Sequence, residues 1–161
     1  MDFDQRLERA IERGQRKRSA EDRVRAERAM TEEDYKNLHS KARLELSEHI
    51  EACLKKLSDY FPGFDFESVV GSDGWGAKIS RDDITSGAGK GLSRLYSRLE
   101  MLIRPYTPSH IVELVARGAI RNKEVLSRAQ FQLIDQFDQE AFSDLIDQWV
   151  LEYAEKYSAR V

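Results

Sequence analysis

The sequence predicts an α+β protein, mostly α, with four to five helices packed around one antiparallel β-hairpin and a charged N-terminal helical arm. Three observations carry this expectation. Apolar residues recur at three- and four-residue steps from Tyr35 to Tyr60. The period drops to two between residues 64 and 81, and the longer step returns after Gly91. The division that follows is an arm at 1–30 and a compact body at 31–161, with the hairpin at 64–81.

In the arm, Phe3, Leu7 and Ile11 fall four apart and draw a thin apolar stripe on a helix. Beyond Gly14 the stripe nearly vanishes, and such a helix builds no core alone. Thr31, followed by Glu32, Glu33 and Asp34, reads as a second helix start: a capping hydroxyl, then carboxylates at the positive end of the dipole. Tyr35, Leu38, Ala42, Leu46, Ile50, Cys53, Leu57 and Tyr60 form its stripe, and Pro62-Gly63 stops it.

For the hairpin, one register pairs Val70 with Trp75, Ser68 with Ala77 and Phe66 with Ile79 on a mostly apolar face. The same register sets Glu67 against Lys78 on the other face, and a slip of one residue would destroy both arrangements. Two strands alone are marginal, so the apolar face needs a helix over it. Residues 81–91 read as a loose joint rich in glycine.

Leu92, Leu95, Tyr96, Leu99, Leu102 and Ile103 then predict a helix stopped by Pro105. Thr107-Pro108 predicts another, capped by Gly118, and Asn122 caps a short one through Leu133. Asp138 opens the last helix, with Phe142, Leu145, Ile146, Trp149, Tyr153 and Tyr157 inward.

Composition narrows the function classes. The 161 residues are 40% hydrophobic and 34% charged with a net charge of −3, which excludes whole-chain disorder. No apolar run is long enough to span a bilayer, and the N-terminus lacks the apolar core of a secretory signal, so the expected location is cytoplasmic. Cys53 is the single cysteine, which excludes an internal disulfide and any CxxC motif. Charge is graded along the chain. Residues 1–30 hold nine basic and seven acidic residues, whereas residues 131–161 hold two and seven.

Searching for chemistry returns fragments. Ser86–Gly91 leads toward a helix start as a phosphate-binding loop would. Ile84, however, stands where the P-loop needs its first glycine, and Gly91 replaces the magnesium-binding hydroxyl. His39, His49 and His110 form neither HExxH nor ExxH. Glu45 and His49 are an i,i+4 pair without a third ligand in view. Asp135, Asp138, Glu140, Asp144 and Asp147 lack calcium-loop spacing and read as a solvated face. Adjacent Asp82 and Asp83 point apart in an extended chain. Cys53 lies on an inner stripe with little thiolate character. The expectation is therefore no catalytic residue, no metal and no cofactor.

What remains is a non-enzymatic interaction or assembly protein that forms a homo-oligomer or docks a protein partner, with no membrane involved. The residues expected to carry it are Phe3, Leu7 and Ile11 of the stripe and Arg13, Arg16, Lys17 and Arg18 of the basic run. Asp82, Asp83, Lys90, Arg94 and Arg98 around the glycine joint complete the set. The alternative is a regulatory nucleic-acid-binding protein whose arginine arm lies along phosphates. Interleaved acids and a local net charge of only +2 weigh against it.

Overall fold

The computed structural model describes the backbone of residues 2–87 and 91–160, and the side chains of these except 26–31 and 85–87. Among the described residues the order is a helix α1 (Phe3–Tyr60), five strands, a short 3-10 turn and a helix α2 (Gln139–Arg160). The strands are β1 (Asp65–Gly71), β2 (Gly74–Gly87), β3 (Gly91–Ile103), β4 (Ile111–Ile120) and β5 (Lys123–Leu133). They form one antiparallel sheet in sequence order. Among the described residues no helix is long and apolar enough to cross a membrane.

The chain divides into two compact units, Met1–Asn37 and Leu38–Val161. The first is helical from Phe3 onward, and every side chain described from residue 2 to 25 is exposed. Helix runs on through residue 31, so the start expected at Thr31 is not a start.

The second unit corrects the expected fold. Four to five helices around a single hairpin is wrong: a five-stranded sheet stands in their place. The helices expected from Leu92, from Pro108 and from Asn122 are β3, β4 and β5. Leu95, Leu99 and Ile103 of β3 are spaced for one face of a strand as well as they are for a helix stripe. Long-range pairing with β2 and β4 decides between the two readings. β4 alternates cleanly, with Val112, Leu114, Ala116, Gly118 and Ile120 buried.

The hairpin and both flanking helix ends agree with the sequence reading. Phe66 pairs with Ile79, Ser68 with Ala77 and Val70 with Trp75, with Glu67 opposite Lys78. Lys78 Nζ lies 3.5 Å from Glu67 Oε2. Tyr60 ends α1 just before Pro62-Gly63, and Asp138 caps α2 by accepting a 3.2 Å hydrogen bond from Ala141 N–H. The loose joint expected at 81–91 is instead largely strand: β2 runs to Gly87 and β3 begins at Gly91.

One face of the sheet makes the core. Ala77, Ile79, Leu99, Met101, Ile103, Leu114 and Leu126 meet Leu46, Ile50, Leu54 and Leu57 of α1 and Phe142, Ile146 and Tyr153 of α2, all buried. Each large side chain so removed from water is worth about 1.5–3 kcal/mol. The cation of Arg43 sits 4.2 Å above the Trp75 ring, and Lys55 Nζ lies 5.4 Å from Phe66, which holds α1 over β1 and β2. Arg128 and Lys156 both reach Glu152 Oε1, at 2.8 and 3.0 Å, and hold its carboxyl below the usual range, Lys156 first. These contacts tie α2 to β5.

Gly118 is not a helix cap. It lies in mid-strand under α2, where an added Cβ would come 2.9 Å from Tyr153 Cδ2. Asn122 caps no helix either. Arg121 and Asn122 form the β4–β5 turn with φ of 49° and 69°, the two positive values of a type I′ hairpin.

Candidate functional site

Helix geometry first places His49 and Cys53 together, because i,i+4 side chains share a face of α1. Ile50 and Leu54, one position on from each, are buried against the sheet. That rotates His49 and Cys53 to the flank of α1, where α2 lies. On α2 the burial of Ile146 and Val150 does the same for Asp147. The three side chains converge. His49 Nε2 lies 2.8 Å from Asp147 Oδ1, the Cys53 thiol donates to the same oxygen at 3.4 Å, and Cys53 Sγ is 3.6 Å from His49 Nε2. His49 and Cys53 are half-buried, and Asp147 is the most exposed of the three.

Beside the trio, Cys53, Leu57, Phe61, Val150, Leu151 and Ala154 line a groove of about 450 Å³ between α1 and α2. The walls are apolar, and Lys56 stands among them. The trio is the polar end of an otherwise apolar groove.

The electrostatics oppose nucleophilic use of the thiol. Burial, then the hydrogen bond and charge of Asp147, push Cys53 up to about 11, with Lys56 opposing. One imidazole nitrogen faces both the thiol and the carboxylate. A Cys–His–acid relay needs the nucleophile on one nitrogen and the carboxylate on the other.

None of the residues expected from the sequence belongs to this trio. Phe3, Leu7, Ile11, Arg13, Arg16, Lys17 and Arg18 are exposed on α1. Arg16 Nη2 lies 3.7 Å from Glu12 Oε2. Asp82 and Asp83 stand on β2 and point to opposite faces of the sheet. Arg81 donates to Asp83 at 2.8 Å and to the Pro62 carbonyl at 2.6 Å, so Asp83 holds the hairpin to the end of α1. Asp82 pairs with Tyr96, whereas Arg94 and Arg98 stand opposite Ile84 and Ser80 on the same face. Lys90 and most of the Gly87–Gly91 loop lie outside the described residues.

In the sequence Glu45 stands four residues before His49 and Cys53 four residues after it, and the two are equally visible. Asp147 is not, since 94 residues separate it from Cys53 and only the packing of α2 on α1 joins them.

The class these observations define is an α+β protein with a five-stranded antiparallel meander flanked on one face by two helices. No family model, no curated protein and no solved structure matches the chain.

Proposed function

We propose that this is a non-enzymatic cytoplasmic assembly protein that pairs with a second copy of itself through the helical segment of residues 3–35. The observation that carries the reading is exposure: Phe3, Leu7 and Ile11 are 74%, 47% and 52% exposed on a helical segment without a buried side chain from residue 2 to 25. An isolated helix with so thin an apolar stripe is marginal in water, and a partner helix covers it.

The chemistry of the segment favours a second copy as that partner. Leu7, Ala10, Gly14, Lys17, Glu21 and Val24 alternate steps of three and four, the spacing of a coiled-coil seam, with Lys17 and Glu21 as charged positions within it. Antiparallel pairing centred on Ser19 sets Lys17 against the second copy's Glu21, Gly14 against its Val24 and Phe3 against its Tyr35, so the overlap runs from residue 3 to residue 35. The twofold operation repeats both contacts, as an isologous interface requires. A lone unpaired cysteine suits a reducing compartment.

Sedimentation of the full chain tests this. The expected result is a dimer that Leu7→Ser with Ile11→Ser converts to a monomer. Lys17→Glu alone should weaken pairing by about tenfold, and Lys17→Glu with Glu21→Lys should restore it. A full chain that stays monomeric at high concentration overturns the reading. A monomer that instead binds single or double strands with steep salt dependence replaces it with the arginine-arm alternative.

A further inference from the structure

We propose that His49, Cys53 and Asp147 form a binding site for one zinc ion, a site that clamps α1 to α2 and leaves one coordination position for water. This goes beyond the assembly reading, because the ligands lie in 38–161 and the pairing seam in 1–37.

Geometry carries the inference. Tetrahedral zinc, at about 2.3 Å from sulfur and about 2.0–2.1 Å from nitrogen and oxygen, sets donor edges of about 3.5 Å to sulfur and about 3.3 Å between nitrogen and oxygen. The observed edges are 3.6 Å from sulfur to His49 Nε2, 3.4 Å from sulfur to Asp147 Oδ1, and 2.8 Å between nitrogen and oxygen. Both sulfur edges already match. The third is contracted by the direct contact of His49 with Asp147, and the ion opens it by about half an ångström. Side chains 34% and 49% exposed have room for that movement.

The donor set selects the ion. One thiolate, one imidazole and one carboxylate suit a borderline cation, whereas magnesium and calcium take oxygen alone. Two donors come from one face of one helix and the third from the facing helix, so their spacing is held by the core beneath them. Binding displaces the thiol proton and the hydrogen bonds within the trio, and the ion takes over as their common partner. The ion thereby joins residues 53 and 147, which the chain separates by the whole sheet.

The test uses the full chain, stripped with chelator and titrated with zinc and then cobalt. The expected result is one ion per chain, with a sulfur-to-cobalt charge-transfer band and the strong visible absorption of tetrahedral cobalt. Cys53→Ser should abolish the charge-transfer band, and Cys53→Ser, His49→Gln and Asp147→Asn should each weaken zinc binding by more than about tenfold. Glu45→Gln, one turn before His49 but outside the trio, should bind like the parent. Absence of binding overturns the proposal. So does cobalt bound by the parent chain without the charge-transfer band, a result that needs no variant to fold. Zinc affinity equal in the parent and in Cys53→Ser also overturns it. Because sedimentation of Leu7→Ser with Ile11→Ser reads the apolar stripe of the arm alone, failure of either proposal is distinguishable from failure of the other.

Discussion

His39 shows how a single side chain can make stability depend on pH. It is buried, with its ring edge-on to Tyr106 at 5.6 Å and its Nε2 without a hydrogen-bond partner among the described residues. Burial lowers its pKa, the Arg43 charge adds to this, and a hydrogen bond with the Arg104 backbone opposes it. The unfolded chain takes up a proton near the ordinary value of 6.5 while the folded chain does not. Stability from this group is therefore complete above that pH and lost as pH falls below it. Urea midpoints should drop on acidification, and His39→Phe, which removes the titration, should drop less. Equal losses in both proteins would remove His39 as the cause. Tyr153 is a second residue on which stability depends, through one hydrogen bond. Its hydroxyl donates to the Ala119 carbonyl at 2.9 Å, beside the irregularity between Gly118 and Ala119 where the β4–β5 ladder shifts register. Tyr153→Phe should cost about 1–2 kcal/mol by leaving that carbonyl without its donor. Gly118→Ala, by driving a methyl into the same ring, should cost about 1–3 kcal/mol. Chemical denaturation of each variant measures both.

Among the elements, the β4–β5 turn does more than reverse the chain. The last β3–β4 pair is Arg98 with Ala119, so the β3 backbone beyond it has lost its β4 partner. Asn122 supplies one. Its Oδ1 accepts from Tyr96 N–H at 2.8 Å, its Nδ2 donates to the Arg94 carbonyl at 2.8 Å, and its own N–H donates to the Tyr96 carbonyl at 2.8 Å. The side chain thus extends the sheet by one rung, and Asn122→Ala should cost about 1–3 kcal/mol through the two lost bonds. Arg121, by contrast, holds a left-handed φ of 49° that its side chain disfavours. Arg121→Asn should stabilise by about 0.5–1 kcal/mol, since asparagine suits the first position of this turn. A thermal midpoint that does not rise would show that the Arg121 side chain contributes something the turn geometry does not reveal. As a capping residue Asn122 is legible in the sequence, but the groups it caps are not those of a helix. Its side chain does satisfy backbone groups; they belong to a strand 26 residues earlier.

On the scale of the whole molecule, the uncovered face of the sheet carries a row of alternating charge. Glu67, Lys78, Glu100 and Arg117 stand opposite one another in turn across β1 to β4, and the uncharged Ser127 of β5 ends the row. Opposite charges at cross-strand positions favour this register, and a shift by two residues would break the order. The assembly reading adds a concentration dependence: if folding of residues 3–35 is coupled to pairing, helix content should rise with protein concentration. Circular dichroism over a wide dilution series measures it, and helix content that stays constant would uncouple the two.

Local and sequential features were determined by the sequence alone. The α1 stripe from Ala42 to Leu57, its stop at Pro62-Gly63, the Asp65–Ser80 hairpin register and the Asp138 cap of α2 all rest on neighbours a few residues away. There, periodicity and capping chemistry decide the conformation. Only the tertiary structure decided that 91–133 is three strands, that Gly118 lies under Tyr153, and that Asp147 meets His49 and Cys53. Leu, Arg, Glu and Met in β3 favour helix by intrinsic propensity, yet a β1–β2 hairpin leaves an open edge whose hydrogen bonds need another strand. Pairing along that edge outweighs propensities of a few tenths of a kcal/mol per residue, and the same packing brings together donors that the chain keeps far apart.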